Sequence, residues 1–97
     1  MIVEKSGSSA FFPGHSDLPA MLAQRDVDTV IVTGTVTDVC CAATARDAVG
    51  SGHRTLMVAD ANAGRDDASH NAALETFYRS HGDVRTTDDV LSVLTRR

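Results

Sequence analysis

Short apolar runs alternate along this chain with stretches in which apolar residues recur at helical spacing. The clearest run is "DTVIVTG", residues 28 to 34, whose β-branched apolar centre is typical of a strand buried on both faces. A second run, "HRTLMVAD" at residues 53 to 60, predicts another buried strand, and "DVRT" at residues 83 to 86 predicts a short third one. The opening "MIVEK" is compatible with a fourth strand.

Helical spacing marks the segments between these runs. An Ala-rich stretch over residues 38 to 49 predicts one helix, and residues 67 to 80 predict a longer one. The longer helix has a stripe at i, i+3, i+4 and i+7 that we expect to face the core: Leu74, Phe77, Tyr78 and His81. "SDLPAMLAQRD" predicts a short helix with Ser16 as its N-cap, and Thr86 and Asp89 have the capping-box spacing that opens a final helix.

This alternation of strands and helices predicts βαβ units and a parallel sheet, which is an α/β fold. With 97 residues, the chain has the length of one small domain. Three or four strands are few for a doubly wound sheet, so we expect an incomplete domain.

Composition and charge exclude several classes of function. The content of 42% hydrophobic and 23% charged residues is ordinary, and no apolar run approaches the ~20 residues of a membrane span. A net charge of -4 and nine scattered basic residues argue against a nucleic-acid or membrane surface. The opening segment lacks the unbroken apolar core of a signal peptide. Because the only two cysteines are adjacent, and such a disulfide is strained, we expect reduced thiols and a cytoplasmic protein.

The two cysteines, Cys40 and Cys41, lie where a buried strand gives way to a helix. Ligands of open α/β sheets bind at the carboxyl ends of the strands. With Thr37 or Asp38 as N-cap, Cys40 falls at the second or third helical position, where free N–H groups favour a thiolate and can hold an oxyanion. Cys40 is therefore either a nucleophile or a small core residue, whereas we expect Cys41 to pack against the sheet.

Other motifs are weaker. Cys40 and Arg46 have the C-x5-R spacing of a phosphatase loop, but along a helix they lie about 240° apart and do not grip one phosphate. "GTVTDV" has too few glycines for a dinucleotide fingerprint. The four histidines, at positions 15, 53, 70 and 81, lack metal-ligand spacing, and we expect them at the surface or at helix ends. A thiol redox protein that uses Cys40 and Cys41 is a further alternative.

The segment "VIVTGTVTDVCCAATARDAVGSGHRTLMVADANAGRDDASHNAALETF", residues 30 to 77, resembles the isochorismatase-like cysteine hydrolases. Their pattern is a hydrophobic strand, then G-[VT]-x-[TS]-[ND]-x-C, then a helix with x-x-T-A-x-D-A. The matching positions are Gly34, Thr37, Asp38, Cys40, Thr44, Ala45, Asp47 and Ala48. Upstream, "VEKSGSSAFFPGHSDLPAML", residues 3 to 22, resembles the segment with the family's lysine. The resemblance implies a three-layer αβα, Rossmann-like parallel sheet, of which residues 1–97 are the C-terminal portion without the N-terminal βα units.

The resemblance also implies the roles of particular residues. Members use an Asp–Lys–Cys triad, which makes Cys40 the nucleophile and Lys5 the triad lysine. A cis peptide bond of the family maps to Thr35–Val36, where the backbone N–H groups of Val36 and Cys40 form the oxyanion hole. The triad aspartate lies upstream of the lysine in the family and has no counterpart here.

Members hydrolyse amides, N-carbamoyl compounds and ureido acids, or a vinyl ether, and the vinyl-ether hydrolases often lack the cysteine. The presence of Cys40 therefore implies hydrolysis of a C–N bond in a small amide-type metabolite. We expect neither a cofactor nor a metal. Phe11 and Phe12 are candidates for lining the substrate pocket, with a core or lid role as the alternative.

Without the family's first strands, the strand that leads to Cys40 has a bare edge. We expect a second copy or another partner to cover that edge. The alternative to an enzyme is a catalytically impaired remnant that acts as a binding or subunit-association module.

Overall fold

The computed structural model describes residues 1–96, in which three strands alternate with four α-helices. The bounds are α1 Leu18–Gln24, β1 Thr29–Thr35, α2 Ala42–Gly50, β2 Arg54–Ala63, α3 Asp67–Ser80, β3 Asp83–Arg85 and α4 Thr87–Leu94. Between β1 and α2 lies a five-residue π-helical turn, Thr37–Cys41, which carries both cysteines and which we call the cysteine turn. Residues 1–5 lie outside any strand, so the fourth strand is not formed.

The three strands form one parallel sheet in the order β1-β2-β3, which confirms the predicted α/β fold. β1 pairs with β2 from Thr29 opposite Arg54 to Thr35 opposite Ala63. The short β3 pairs with the other side of β2. β1 is therefore an edge strand, and within residues 1–96 no strand occupies its outer side.

Side chains of the sheet alternate between two faces, as the period of a strand requires. One face meets α2 and α3, and the core between them contains Val32, Cys41, Ala45, Met57, Leu74 and Phe77. The opposite face meets α4 and leaves a groove of about 290 Å³. We call it the sheet groove; its apolar lining consists of Ile31, Leu56, Val90, Val93 and Leu94. Helices thus lie on both faces of the sheet, in the expected three-layer αβα arrangement.

β2 is longer than predicted because a bulge interrupts its ladder with β1. Val32 lies opposite Met57, but Gly34 lies opposite Asn62, so the register shifts between these pairs. Asn62 is buried, and its Nδ2 group donates to the carbonyl oxygens of Val32 (3.0 Å) and Val58 (2.7 Å). The side-chain amide replaces the hydrogen-bond donors that these carbonyls lose where the ladder is interrupted. The strand then continues to the level of the cysteine turn.

The core-facing stripe of α3 is narrower than predicted. Leu74 and Phe77 are buried as expected, but Tyr78 is 63% exposed and His81 is also exposed. α3 packs against the cysteine turn, α2, β2 and the short strand β3, and its buried residues are Leu74 and Phe77. The ring of His81 stacks on Phe77 at the margin, with ring centroids 5.8 Å apart.

Two side-chain caps fix the start of α4. Thr86 Oγ1 accepts from the N–H of Asp89 at 3.2 Å, as the capping-box spacing predicts. The Asp60 carboxylate accepts from the hydroxyl and from the N–H of Thr87, each at 2.7 Å, and these bonds lower the pKa of the Asp60 carboxyl. Asp60 belongs to β2, so this pair of bonds anchors α4 to the sheet.

Candidate active site

The cysteine turn lies directly beyond the carboxyl end of β1. The N–H of Cys41 donates to the carbonyl oxygen of Val36 at 3.2 Å, which closes the wide π-helical loop. α2 begins only at Ala42, so the predicted position of Cys40 in the first turn of an α-helix was wrong. No side chain caps the cysteine turn, and Thr37, the expected N-cap, is its first residue.

The two thiols have different surroundings, and both are free. Cys41 is 4% exposed and belongs to the core, which confirms its predicted packing role. Burial raises the pKa of the Cys41 thiol, the adjacent Cys40 raises this pKa further, and the charge of Lys5 lowers it in part. Cys40 is only half-buried, so a small electrophile reaches its sulfur more easily than that of Cys41.

Backbone geometry at the end of β1 leaves a donor beside the cysteine turn. The peptide bond between Thr35 and Val36 is cis, at the position that the family resemblance implies. Gly34, just before it, has a φ of 127°, a region that favours glycine. The N–H of Val36 has no hydrogen-bond acceptor within residues 1–96. This group is available for an oxygen atom of a bound molecule.

Lys5 lies in the irregular segment that precedes α1, and its side chain is exposed. Its Nζ donates to the carbonyl oxygen of Gly7 at 2.7 Å. The charge of Lys5 lowers the pKa of the Cys41 thiol in part, against the larger effect of burial. The role of Lys5 as the triad lysine stays a prediction.

Hydrogen bonds hold the segment that carries Lys5 against α2. The N–H of Ala10 donates to Thr44 Oγ1 at 3.1 Å, and the Ser16 hydroxyl donates to the carbonyl of Ala10 at 2.7 Å. Thr44 is the threonine of the family's T-A-x-D-A pattern. This motif residue thus positions the segment on which Lys5 lies.

Phe11 and Phe12 lie in different environments. Phe11 is 3% exposed and meets the ring of His53 edge-on, with centroids 5.3 Å apart. His53 precedes β2 at the amino end of the sheet, whereas the cysteine turn lies at the carboxyl end. Phe12 is 53% exposed and lies over His15. Both contacts are with histidines rather than with the cysteine turn, and the role of these rings in a substrate pocket stays a prediction.

His70 joins the cysteine turn to α3 and β2. Its Nδ1 lies 2.7 Å from Thr37 Oγ1, and its Nε2 lies 3.0 Å from the carbonyl oxygen of Ala59. Thr37 is fully buried, so its hydroxyl needs such an internal partner. His70 lies in the first turn of α3, in line with the expected helix-end role, but its ring is half-buried and bonded to the cysteine turn. A bond between residues 33 positions apart leaves no local signal in the sequence.

A polar cleft of about 290 Å³ opens at the carboxyl end of β2. Asn62, Arg65 and His70 contribute to its lining. Ala63, also on its wall, pairs with Thr35 across the sheet, so the cleft borders the start of the cysteine turn. His70, on the wall of the cleft, contacts Thr37, so the cleft reaches the first residue of the cysteine turn.

The site consists of thiols, backbone amides, a lysine and a histidine. Among residues 1–96, no three His, Cys, Asp or Glu side chains are grouped to hold a metal ion. In the same part of the chain, no helix is both long and apolar enough to cross a membrane.

Known proteins match this chain over nearly its whole length. A model of the Isochorismatase domain matches residues 1–89. Maleamate amidohydrolase of Pseudomonas putida is 34% identical over 94 residues, which are 97% of this chain and 43% of that protein. N-carbamoylsarcosine amidase of an Arthrobacter species is 32% identical over 94 residues, 97% of this chain and 35% of the relative. The crystal structure of a cysteine hydrolase from Pseudomonas syringae pv. phaseolicola superposes with a TM-score of 0.88 at 38% identity, covering 95% of this chain and 47% of the other.

The chain spans less than half the length of these relatives. The matched residues 1–89 nevertheless include the Lys5 segment, the whole sheet and the cysteine turn. Sequence and fold agree over the same part of the chain. The chain therefore belongs to the isochorismatase family.

Proposed function

We propose that Cys40 is the nucleophile of a hydrolase that cleaves a C–N bond in a small amide. The observation that carries this proposal is the half-buried Cys40 thiol at the carboxyl end of β1, beside the free N–H of Val36. Ligands of parallel α/β sheets bind at this end of the strands. Relatives that are named as an amidohydrolase and an amidase support the choice of bond.

In the proposed reaction, the Cys40 thiolate attacks the amide carbonyl carbon, and a C–S bond forms as the π electrons move to oxygen. The N–H groups of Val36 and Cys40 stabilise this oxyanion. When the oxyanion collapses, the C–N bond breaks and the amine leaves with the proton that the thiol gave up. Water then attacks the thioester, which releases the carboxylic acid and restores the thiol.

Lys5 supplies a positive charge near the cysteine pair, which favours the thiolate over the thiol. A general base takes the thiol proton and later gives it to the leaving amine. The family resemblance implies that this base is an aspartate upstream of the lysine, and we propose that the polypeptide that covers the outer edge of β1 supplies it.

Association through that edge is the first expected result. β1, "TVIVTGT", lacks the charges and prolines that usually keep an edge strand unpaired, and Ile31 within it is 38% exposed. We expect the chain to assemble with a second copy, or with a partner that supplies a strand, and Ile31→Asp to weaken the assembly. Thr76→Asp, on the exposed side of α3, is the matched control. Analytical ultracentrifugation that finds only monomers, with or without partner proteins, contradicts this expectation.

Selective alkylation tests the proposed nucleophile. Iodoacetamide near neutral pH is expected to label Cys40 at least about tenfold faster than Cys41, because burial keeps Cys41 covered and its raised pKa keeps it protonated. The same reaction in urea, where both thiols are exposed, gives the reference rates. Mass spectrometry of the wild type, Cys40→Ala and Cys41→Ala assigns each adduct.

The alternative, a non-catalytic binding or association module, is favoured by the bare edge of β1. Under that alternative, folded Cys40 reacts no faster than the same thiol in urea, and the assembled protein hydrolyses no amide. A reversible two-electron couple between Cys40 and Cys41 would instead indicate a redox protein.

A further inference from the structure

We propose that Asn62 is a positioning residue that holds the end of β1, and with it the N–H of Val36, in place for the oxyanion. The inference rests on the proposed function, in which that N–H is one of two oxyanion donors. Asn62 lies on β2 opposite Gly34, which precedes Val36 by two positions. Asn62 therefore acts through the backbone of β1 rather than on a substrate.

The pairing of β1 with β2 is irregular at this point. Val32 and Gly34 are two positions apart on β1, whereas their partners, Met57 and Asn62, are five positions apart on β2. β2 therefore carries extra residues between the two pairs, and these residues form the bulge. Because a bulge removes hydrogen bonds of the ladder, the course of β1 beyond Val32 depends on the contacts that replace them.

The side chain of Asn62 supplies these contacts. Its Nδ2 group donates to the carbonyl oxygen of Val58, within the bulge, at 2.7 Å, and to the carbonyl oxygen of Val32, on β1, at 3.0 Å. One amide group thus ties the bulge of β2 to the residue of β1 at which the register shifts. Asn62 is buried, so water is not available to replace it at these carbonyls.

The orientation of the Asn62 amide is fixed because its two ends are not interchangeable. A carbonyl oxygen only accepts, so a flipped amide would place its Oδ1 against two acceptors. Oδ1 is itself buried and has no hydrogen-bond partner among residues 1–96. A buried acceptor without a partner is costly, and an apolar side chain of similar size avoids this cost. The two donated bonds are what such a side chain would lack.

The segment that these bonds hold leads directly to the free donor. Three residues separate Val32 from Val36, and the middle one is Gly34, with a φ of 127°. Glycine is the least restricted residue, so local sterics alone do not keep the segment in this conformation. Without the bonds from Asn62, the buried carbonyl of Val32 loses its donor, and we expect the backbone that follows to shift. The N–H of Val36 then no longer points at the oxyanion.

Acylation by p-nitrophenyl acetate reports on the oxyanion donors of the full chain in its native assembly. The Cys40 thiolate attacks the ester carbonyl, an oxyanion forms, and the C–O bond then breaks to release p-nitrophenolate, which leaves without a proton. Alkylation by iodoacetamide uses the same thiolate but forms no oxyanion. The ratio of the two rates therefore measures stabilisation of the oxyanion and cancels changes in the thiolate population. The rate of Cys40→Ala is subtracted to remove acylation of other groups.

Asn62→Leu removes both donated bonds and keeps a side chain of similar size. We expect the ratio of acylation to alkylation to fall about a hundredfold, as it does on the loss of one oxyanion donor. Alkylation of Cys40 is expected to stay within about threefold of the wild type, since the thiol itself is unchanged. If Asn62 only fills space, Asn62→Leu keeps the ratio of the wild type, because leucine fills the same space.

Asn62→Asp adds a pH profile that a space-filling role would not produce. A carboxylate has no hydrogen to donate, whereas a protonated carboxyl group donates one bond, and burial raises the pKa of such a group. Relative to the wild type at the same pH, we expect the ratio to be about a hundredfold lower at about pH 8 and within about tenfold at about pH 5. Asn71→Asp, at an exposed position of α3, is the matched control and is expected to follow the wild type. The wild type and both variants share the charged and titratable groups on the wall of the neighbouring cleft: Arg65, Asp66, Asp67 and His70.

Each outcome decides for or against the role of Asn62. Ratios like that of the wild type in Asn62→Leu, or a ratio in Asn62→Asp that does not change with pH, overturn it. If circular dichroism shows that neither variant folds, Asn62 serves stability and the positioning role is likewise overturned. If the wild type itself is not acylated at Cys40, the proposed function fails and this inference fails with it.

Discussion

Replacement of Cys40 by alanine is expected to remove amide hydrolysis by the assembled protein, whereas replacement of Cys41 by alanine retains it. We expect kcat to fall at least ~10³-fold in Cys40→Ala, because without the thiol no thioester forms and only binding and the backbone donors remain. Cys41 is 4% exposed in the core, where its thiol does not reach a substrate. The measurement is the release of ammonia or amine from a panel of small amides and ureido compounds.

The two variants form a matched pair because each removes one thiol from adjacent positions of the same turn. Circular dichroism spectra that coincide with that of the wild type show that both remain folded. Hydrolysis that persists in Cys40→Ala and vanishes in Cys41→Ala would reverse the assignment of the nucleophile. Equal loss in both variants, with intact folding, would instead favour a reaction that needs both thiols.

The sequence predicts those elements of the fold that depend on local patterns of residues. The apolar run that ends at Gly34 predicts β1, the long helical period over residues 67 to 80 gives the bounds of α3, and the capping box at Thr86 opens α4. Each of these signals lies within a few neighbouring residues, where propensity and periodicity act. The parallel order of the strands follows because helices connect them.

The cysteine turn departs from local prediction. The sequence after Cys40 is rich in alanine and favours a helix, and propensity does not distinguish an α-helical from a π-helical first turn. The hydroxyl of Thr37 is held by His70, and Asn62 bonds to a carbonyl 30 positions away. Such long-range polar contacts form only once the sheet has assembled. A short segment of the sequence therefore does not predict them.

The helix stripe of α3 shows how periodicity overestimates burial at the edge of a domain. The helical spacing alone predicts that Phe77 and Tyr78 are equally buried. Phe77 is 2% exposed in the core beneath α3, whereas Tyr78 is 63% exposed. A helix buries only the positions that face neighbouring elements, and in α3 these are Leu74 and Phe77.

Phe77→Ala is accordingly expected to lower the free energy of unfolding by about 3–5 kcal/mol, the cost of emptying a filled aromatic site in a core. Tyr78→Ala, one position along the same helix, is expected to change it by no more than about 0.5 kcal/mol. Urea denaturation followed by circular dichroism measures both against the wild type, and equal m-values show that the two states compared are the same.

The difference between these variants is expected to concern stability and not the thiol. Phe77 and Cys41 belong to one core, but the Phe77 ring lies beside Gly82 and Thr55 at the amino end of β2, whereas the cysteine turn lies at the carboxyl end of β1. Alkylation of Cys40 in the folded protein is therefore expected to be similar in Phe77→Ala and Tyr78→Ala. A Tyr78→Ala variant that loses as much stability as Phe77→Ala would mean that another polypeptide buries the exposed face of α3, and the covered surface would then extend beyond the edge of β1.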